Sequence, residues 1–237
     1  PLEETCFFRS IHMSSSSDHV HMSQALQLAE KGLYSTSPNP RVGCVIVRDG
    51  SVVGSGWHER AGQAHAEIHA LNVAGAAARG ATIYLTLEPC SHHGRTPPCA
   101  EALIKAGVAK VIMAMQDPNP LVAGGGCALL QQARIEVQTG LLEAEARALN
   151  IGFVTRMTHK HPWVRMKIAA SLDGKTALNN GTSHWITDEP ARRDGHRWRA
   201  RSCAVLTGIG TVLADDPQLT VRQVETSRQP LRVVVDS

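Results

Sequence analysis

The stretch from His65 to Cys99 constrains this chain more than any other. It opens with His65-Ala66-Glu67, continues with Glu88-Pro89-Cys90, and closes on Cys99 after a polar insert, Ser91 to Pro98. One imidazole and two thiols suit zinc, which favours four-coordinate sites of nitrogen and sulfur ligands. His65, Cys90 and Cys99 are therefore the candidate metal ligands. Three protein ligands leave a fourth position for water, the mark of a catalytic rather than a structural site. Two thiolates cancel the charge of a divalent ion, so water there is a weaker acid than at a tris-histidine site. A base must stand close by, and Glu67 is the candidate; positioned proton transfer is worth about 10²–10⁴ in rate. Both cysteines are expected at helix starts, where N–H groups and the helix dipole favour thiolate. Residues two apart do not share a helix face, so His65 and Glu67 converge only in a first turn. His92 and His93 in the insert are the rivals to Cys99, and the obvious fourth ligands for a closed structural site.

The order His-x-Glu, Pro-Cys, Cys matches the zinc-deaminase signature, except that eight residues rather than two separate the cysteines. The chemistry expected is hydrolytic. Water attacks an amidine-like ring carbon, while Glu67 protonates the ring nitrogen and carries a second proton to the leaving ammonia.

Composition narrows the partners. The formal charge is +3 and aromatic residues are 4%. Neither fits a single-stranded nucleic-acid binder, which needs a basic groove and stacking platforms. No apolar run reaches the roughly 18–20 residues of a membrane span. The first residues lack the basic start and apolar core of an export signal, so a cytoplasmic location and reduced cysteines are expected. Cys6, Cys44, Cys127 and Cys203 have no partner pattern and read as inert small hydrophobes. Residues 1–18, with the run Ser14 to Ser17, read as a disordered leader outside the fold.

From residue 19 the pattern alternates. Helical spacing covers 21–33. Two strand-like runs, 42–47 and 51–57, meet at Asp49-Gly50, a tight-turn signal that predicts a hairpin. A helix from His65, a buried strand over 81–87, a helix over 99–107 and a strand over 109–115 follow. A helix over 126–135, a short strand ending at Gly140 and one long helix over 141–159 complete the series. The expectation is a three-layer α/β domain with a mixed sheet over 19–158. A second domain, 159–237, opens with an extended run from Pro162. A helix follows over 186–202, entered through Thr187 and Asp188 with Pro190 in its first turn. Then come a strand and loop over 202–210, and a last strand from Pro230.

The central motifs, with Ser37-Pro38-Asn39-Pro40-Arg41-Val42-Gly43 and Asp117-Pro118-Asn119-Pro120, resemble the bifunctional riboflavin-biosynthesis deaminase-reductase family. The resemblance covers about residues 20–237 and accounts for the long insert. It implies a cytidine-deaminase-like domain that converts 2,5-diamino-6-(5-phosphoribosylamino)pyrimidin-4-one to 5-amino-6-(5-phosphoribosylamino)uracil. The family's zinc ligands fall on His65, Cys90 and Cys99, and its general acid/base on Glu67. A phosphorylated substrate asks for positive charge, which His92 and Arg95 can supply; Arg suits phosphate well. Asn39 and Asn119 lie on loops at strand ends, where α/β sheets bind ligands. His58 precedes the metal helix and could line the pocket. Asp117 can equally be a turn former.

Residues 163–237 resemble the front half of the family's reductase domain, of dihydrofolate-reductase-like fold, through 167–177, 181–187 and 210–222. By that resemblance Ala169, Trp185, Thr211 and Asp215 meet NADPH, and Ser183, Arg199, Leu219 and Arg222 meet the ribosyl phosphate. Thr207 to Thr211 is not a Gly-x-Gly-x-x-Gly fingerprint. The family's reductase extends beyond Ser237, so this stretch is expected to deaminate but to reduce poorly or not at all. Two alternatives stand beside this reading. One is a nucleic-acid or nucleoside base deaminase; the other is a non-catalytic zinc-stapled module in which Glu67 is dispensable. The oligomeric state, a homo-oligomer included, is left open.

Overall fold

The computed structural model describes residues 15–92, 97–120 and 122–236. Two compact units divide the chain: Pro38–Trp163 with the residues up to Gly32, and Val164 onward with Leu33–Ser37.

The first unit runs α1 (Ser16–Glu30), β1 (Gly43–Arg48), β2 (Ser51–Trp57), α2 (Ala66–Ala74), β3 (Thr82–Leu85), α3 (Cys99–Ala106), β4 (Lys110–Met113), α4 (Gly125–Gln132), β5 (Glu136–Thr139), α5 (Glu143–Leu149) and α6 (Ile151–His159). The sheet order is β2-β1-β3-β4-β5. β1 is antiparallel to both β2 and β3, and β3, β4 and β5 are parallel. This is the expected mixed sheet in three layers. Strand alternation sorts the core. Cys44, Ile46, Ile83, Leu85, Val111 and Met113 face α2, α3 and α4, whereas Val45, Val47, Tyr84 and Ile112 face α1, α5 and α6. Asp49 and Gly50 both take positive φ, 51° and 75°, as a two-residue hairpin turn requires.

α2 lies close against β2 because the contacting residues are small. A Cβ at Gly54 would sit 2.4 Å from Ala70 O, and one at Gly56 would sit 2.8 Å from Ala66 O. This approach brings the N-terminus of α2, with His65, to the end of the sheet. Gly54→Ala is expected to cost about 1–3 kcal/mol, since backbone atoms cannot yield to the new methyl. A lower urea midpoint, followed by zinc release from this unit, is the readout; an unchanged midpoint would contradict the close approach.

Three sequence expectations about the first unit need correction. The stretch 1–18 is not wholly outside the fold: Ser15 caps α1 with Asp18 as its capping box, and Tyr84 donates a hydrogen bond to Asp18 Oδ1 at 2.6 Å. A serine run that reads as low complexity is, at its end, a helix cap. The helix from His65 stops at Gly75, which takes φ 52°, and a short 3₁₀ turn follows. The single long helix over 141–159 is two helices broken at Asn150. That side chain is fully buried, accepts from Arg41 N–H at 2.8 Å and donates to Arg41 O at 2.9 Å. Asn150→Ala would strand both Arg41 groups, at about 2–4 kcal/mol. A drop in urea midpoint on that scale is expected, and a drop below ~1 kcal/mol would show Arg41 to be satisfied otherwise.

The second unit holds α7 (Glu189–Arg201), β6 (Ala204–Gly208), α8 (Ile209–Asp215) and β7 (Leu231–Val235), with β6 and β7 parallel. Asp188 caps α7 by accepting from Ala191 N–H, with Pro190 in the first turn, as its sequence predicts. The extended run from Pro162 forms no strand, and the residues after β6 are helical rather than loop. In both places apolar spacing was too short to set the type.

Candidate active site

His65 is the N-cap of α2, with extended backbone at φ −78° and ψ 165°. The turn from extended to helical backbone lets residues 65 and 67 converge despite their spacing. Cys99 is the first residue of α3, as expected of a helix start. Cys90 is not: it lies in the loop after β3, and its sulfur accepts a hydrogen bond from Cys99 N–H at 3.2 Å. His65 Nδ1 stands 3.7 Å from Cys90 Sγ and 3.3 Å from Cys99 Sγ, and the three donor atoms lie within 4.8 Å of one another. Tetrahedral zinc with ordinary Zn–S and Zn–N bonds spaces such donors about 3.5–3.8 Å apart. A hydrogen bond from Cys99 holds the Cys90 thiol well below its usual range, so one thiolate is already favoured.

Glu67 stands behind these donors, only 3% exposed, and its Oε2 has no hydrogen-bond partner among the described residues. Burial pushes its carboxyl up to about 7. A buried, unpartnered carboxylate oxygen beside one imidazole and two sulfurs fits a metal-bound reactant that is not part of the protein. Cys44 lies beneath, its thiol pushed up by burial and then by the Glu67 charge, so it stays an inert hydrophobe.

The loop residues around this set are tied down. His58 is buried, and its ring lies edge-on to that of His65 at 5.4 Å. His58 Nδ1 meets Ala64 O at 3.0 Å, and a carbonyl can only accept, so Nδ1 carries the proton. Nε2 is then an acceptor, and Asn39 Nδ2 donates to it at 3.1 Å. Burial lowers the His58 pKa, which keeps the ring neutral. Both ring nitrogens of His58 are thus used within the chain. Asp117 Oδ1 accepts from Asn119 N–H at 2.8 Å, and Asn119 O accepts from Val122 and Ala123 N–H. Burial raises the Asp117 carboxyl, against the bond from Asn119 and the nearby His92. His92 is exposed and is not one of the three clustered donors; His93 and Arg95 lie outside the described residues.

In the second unit, Ser183, Thr211 and Asp215 line one open cleft of about 550 Å³. Arg199 and Arg222 both donate to Thr220 O, at 2.7 and 3.4 Å, beside Leu219 with its positive φ of 55°. Ala169 and Trp185 do not line the cleft; Trp185 is exposed, with the Arg192 guanidinium over its ring.

Sequence reasoning missed Glu88, Thr86 and Asn150. All three are buried polar residues that hold loops by accepting backbone N–H groups. The available signal was a Thr-Leu-Glu run ending an apolar strand, where a charge has no place unless it is satisfied.

The mixed sheet that brings an imidazole, two thiols and a buried carboxylate together at its strand ends defines a cytidine-deaminase-like metal domain. Residues 15–115 match the cytidine and deoxycytidylate deaminase zinc-binding region, and residues 162–237 match the RibD C-terminal domain. The chain is 56% identical over 232 residues to the riboflavin biosynthesis protein RibD of Escherichia coli, covering 93% of this chain and 63% of that protein. The Bacillus amyloliquefaciens protein of the same name is 50% identical over 220 residues, at 93% and 59% coverage. Among solved structures, Acinetobacter baumannii RibD has TM-score 0.88 at 55% identity, over 93% of this chain and 63% of that one. The Thermotoga maritima diaminohydroxyphosphoribosylaminopyrimidine deaminase/5-amino-6-(5-phosphoribosylamino)uracil reductase has TM-score 0.87 at 45% identity, over 92% and 62%. Along most of its length this chain is therefore similar to the riboflavin biosynthesis RibD proteins, with a match to the deaminase zinc-binding region followed by one to the RibD C-terminal domain. It spans about three-fifths of the length of the relatives it matches. No helix among the described residues is long and apolar enough to cross a membrane.

Proposed function

We propose that the first unit is a zinc-dependent deaminase acting on 2,5-diamino-6-(5-phosphoribosylamino)pyrimidin-4-one, releasing ammonia. We assign it to residues 19–158, and residues 159–237 to the front of an NADPH-dependent reductase. The observation that carries the reading is the buried Glu67 oxygen without a partner, beside three donors spaced for zinc. A zinc ion held by His65, Cys90 and Cys99 would supply Lewis-acid activation of water at its open position.

The chain's own residues do the rest. Glu67 accepts a proton from the attacking water, passes it to the ring nitrogen, and delivers the second to the departing amine. Its high carboxyl pKa suits both directions of transfer near neutral pH. Neutral His58 orients the Asn39 amide, so that Asn39 meets the ring edge with a fixed donor–acceptor sense. Asn119 meets the substrate from the opposite loop, with Asp117 setting its backbone. His92 and Arg95 supply charge for the phosphate. In the second unit Thr211 and Asp215 meet NADPH with Ala169 and Trp185, while Ser183, Leu219, Arg199 and Arg222 meet the ribosyl phosphate.

The test is ammonia release by the zinc-loaded chain from the phosphoribosyl diaminopyrimidine, with cytidine and single-stranded DNA as controls. Turnover of the phosphoribosyl compound alone is expected. Turnover confined to either control would overturn the substrate assignment, and no turnover of any of the three would overturn the activity.

A further inference from the structure

Glu88 is 4% exposed, yet its carboxylate accepts hydrogen bonds from three backbone N–H groups: Asp117 at 3.1 Å, Gly124 at 3.0 Å and Cys127 at 3.1 Å. Its own N–H donates to Met115 O at 3.0 Å. Two of the three donors belong to the N-terminus of α4, where Gly124 is the N-cap and no residue of the helix's own supplies a side-chain cap. Glu88, in the loop just past the end of β3, thus caps α4 in place of a local residue, and its charge complements the helix dipole.

The same contact is closed by glycines. A Cβ on Gly126 would come 2.1 Å from Pro89 O, and one on Gly125 would come 2.4 Å from Ser91 Oγ. The α4 N-terminus is therefore docked directly on Glu88-Pro89-Cys90-Ser91, the segment that carries a metal ligand. The third donor, Asp117, begins the turn that sets the Asn119 backbone. One buried carboxylate ties the metal-ligand loop to the Asn119 turn on one side and to α4 on the other.

We propose that Glu88 is a positioning residue for substrate affinity: it fixes the distance between the metal-ligand loop and the Asn119 turn, and makes no contact with the reacting atoms. The inference rests on the proposed deaminase function and on Asn119 meeting the substrate. Three N–H donors converge on the carboxylate. In Glu88→Gln one oxygen remains to accept, and the new amide NH₂ confronts a donor. The change leaves the ligand side chains of His65, Cys90 and Cys99 in place, and it weakens the tie between the Cys90 loop, α4 and the Asn119 turn, because one amide oxygen cannot serve both Cys127 and the Asp117–Gly124 pair.

The experiment compares wild type, Glu88→Gln, Asn119→Ala and the double variant, each loaded with zinc. Glu88→Gln is expected to raise KM for the phosphoribosyl pyrimidine about tenfold or more, with kcat within about threefold and zinc content unchanged. The double variant should be no worse than Asn119→Ala, because both changes remove one interaction. Loss of zinc from Glu88→Gln, a fall in kcat at unchanged KM, or multiplying effects in the double variant would each overturn the proposal. Amide hydrogen exchange adds a measurement that needs no turnover. The amides of Asp117, Gly124 and Cys127 should be protected in the wild type and exchange faster together in Glu88→Gln. Unprotected amides in the wild type would overturn the clamp even if the variant fails to fold. Protected amides in a chain that releases no ammonia would instead place the failure in the proposed substrate.

Discussion

Glu67→Gln should retain zinc at the wild-type stoichiometry while ammonia release falls by about 10²–10⁴. The substitution keeps the shape of the side chain and removes its capacity to accept a proton. Folding should not suffer, because Glu67 is buried with an oxygen that has no partner, and an amide in that place carries no charge to desolvate. The result separates a deaminase from a non-catalytic module at this site. A closed, zinc-stapled binding module would be indifferent to the change, and ammonia release within tenfold of wild type would favour that module over the deaminase. Metal analysis on the same samples guards against a trivial loss of zinc.

Cys99→Ala should cost the chain its zinc, whereas His92→Ala should keep it. Cys99 Sγ, Cys90 Sγ and His65 Nδ1 form the one cluster of metal donors among the described residues, and His92 is exposed outside it. Removing a direct ligand should weaken zinc binding by more than the roughly 10–100-fold that follows loss of an outer-shell partner. Because the metal binds the folded state, its affinity also adds to stability. Adding a chelator should lower the melting temperature of wild type and His92→Ala, and leave Cys99→Ala unmoved. Competition with a chromophoric zinc chelator reads the affinity. Equal zinc retention by Cys99→Ala and wild type would return the choice to the histidines of the insert.

Much of the site was legible because its chemistry is written in residue types at short range. His65 and Glu67 are two residues apart, Pro89 and Cys90 adjacent, and Cys99 opens an apolar helix. The hairpin at Asp49-Gly50 was equally plain, since the turn's positive φ values demand those residues. Cys90 was misjudged because the pull toward thiolate was ascribed to a helix start. It comes instead from hydrogen bonds in the loop: from the Cys99 thiol first, then His65 and the Cys99 N–H. His58 was read as either a pocket-lining or a loop histidine, and a lone histidine in a sequence does not reveal that Ala64 O and Asn39 take up both ring nitrogens.

The rest lay in contacts far apart in the chain, which no local pattern encodes. Asn150 breaks a helix that its own apolar spacing continues, because it satisfies Arg41 more than a hundred residues away. Ser15 and Asp18 look like the end of a featureless tail until Tyr84 is placed beside them. Glu88 is one more acidic residue in the sequence, and only the fold directs three backbone N–H groups at it. The sequence by itself pointed to the candidate metal donors, with Cys99 still open against two histidines, to the candidate acid/base and to the order of the layers, because donor chemistry and apolar alternation are local properties. The tertiary structure alone decided which buried polar groups hold the loops around the metal, because a buried hydrogen bond is defined by its partner.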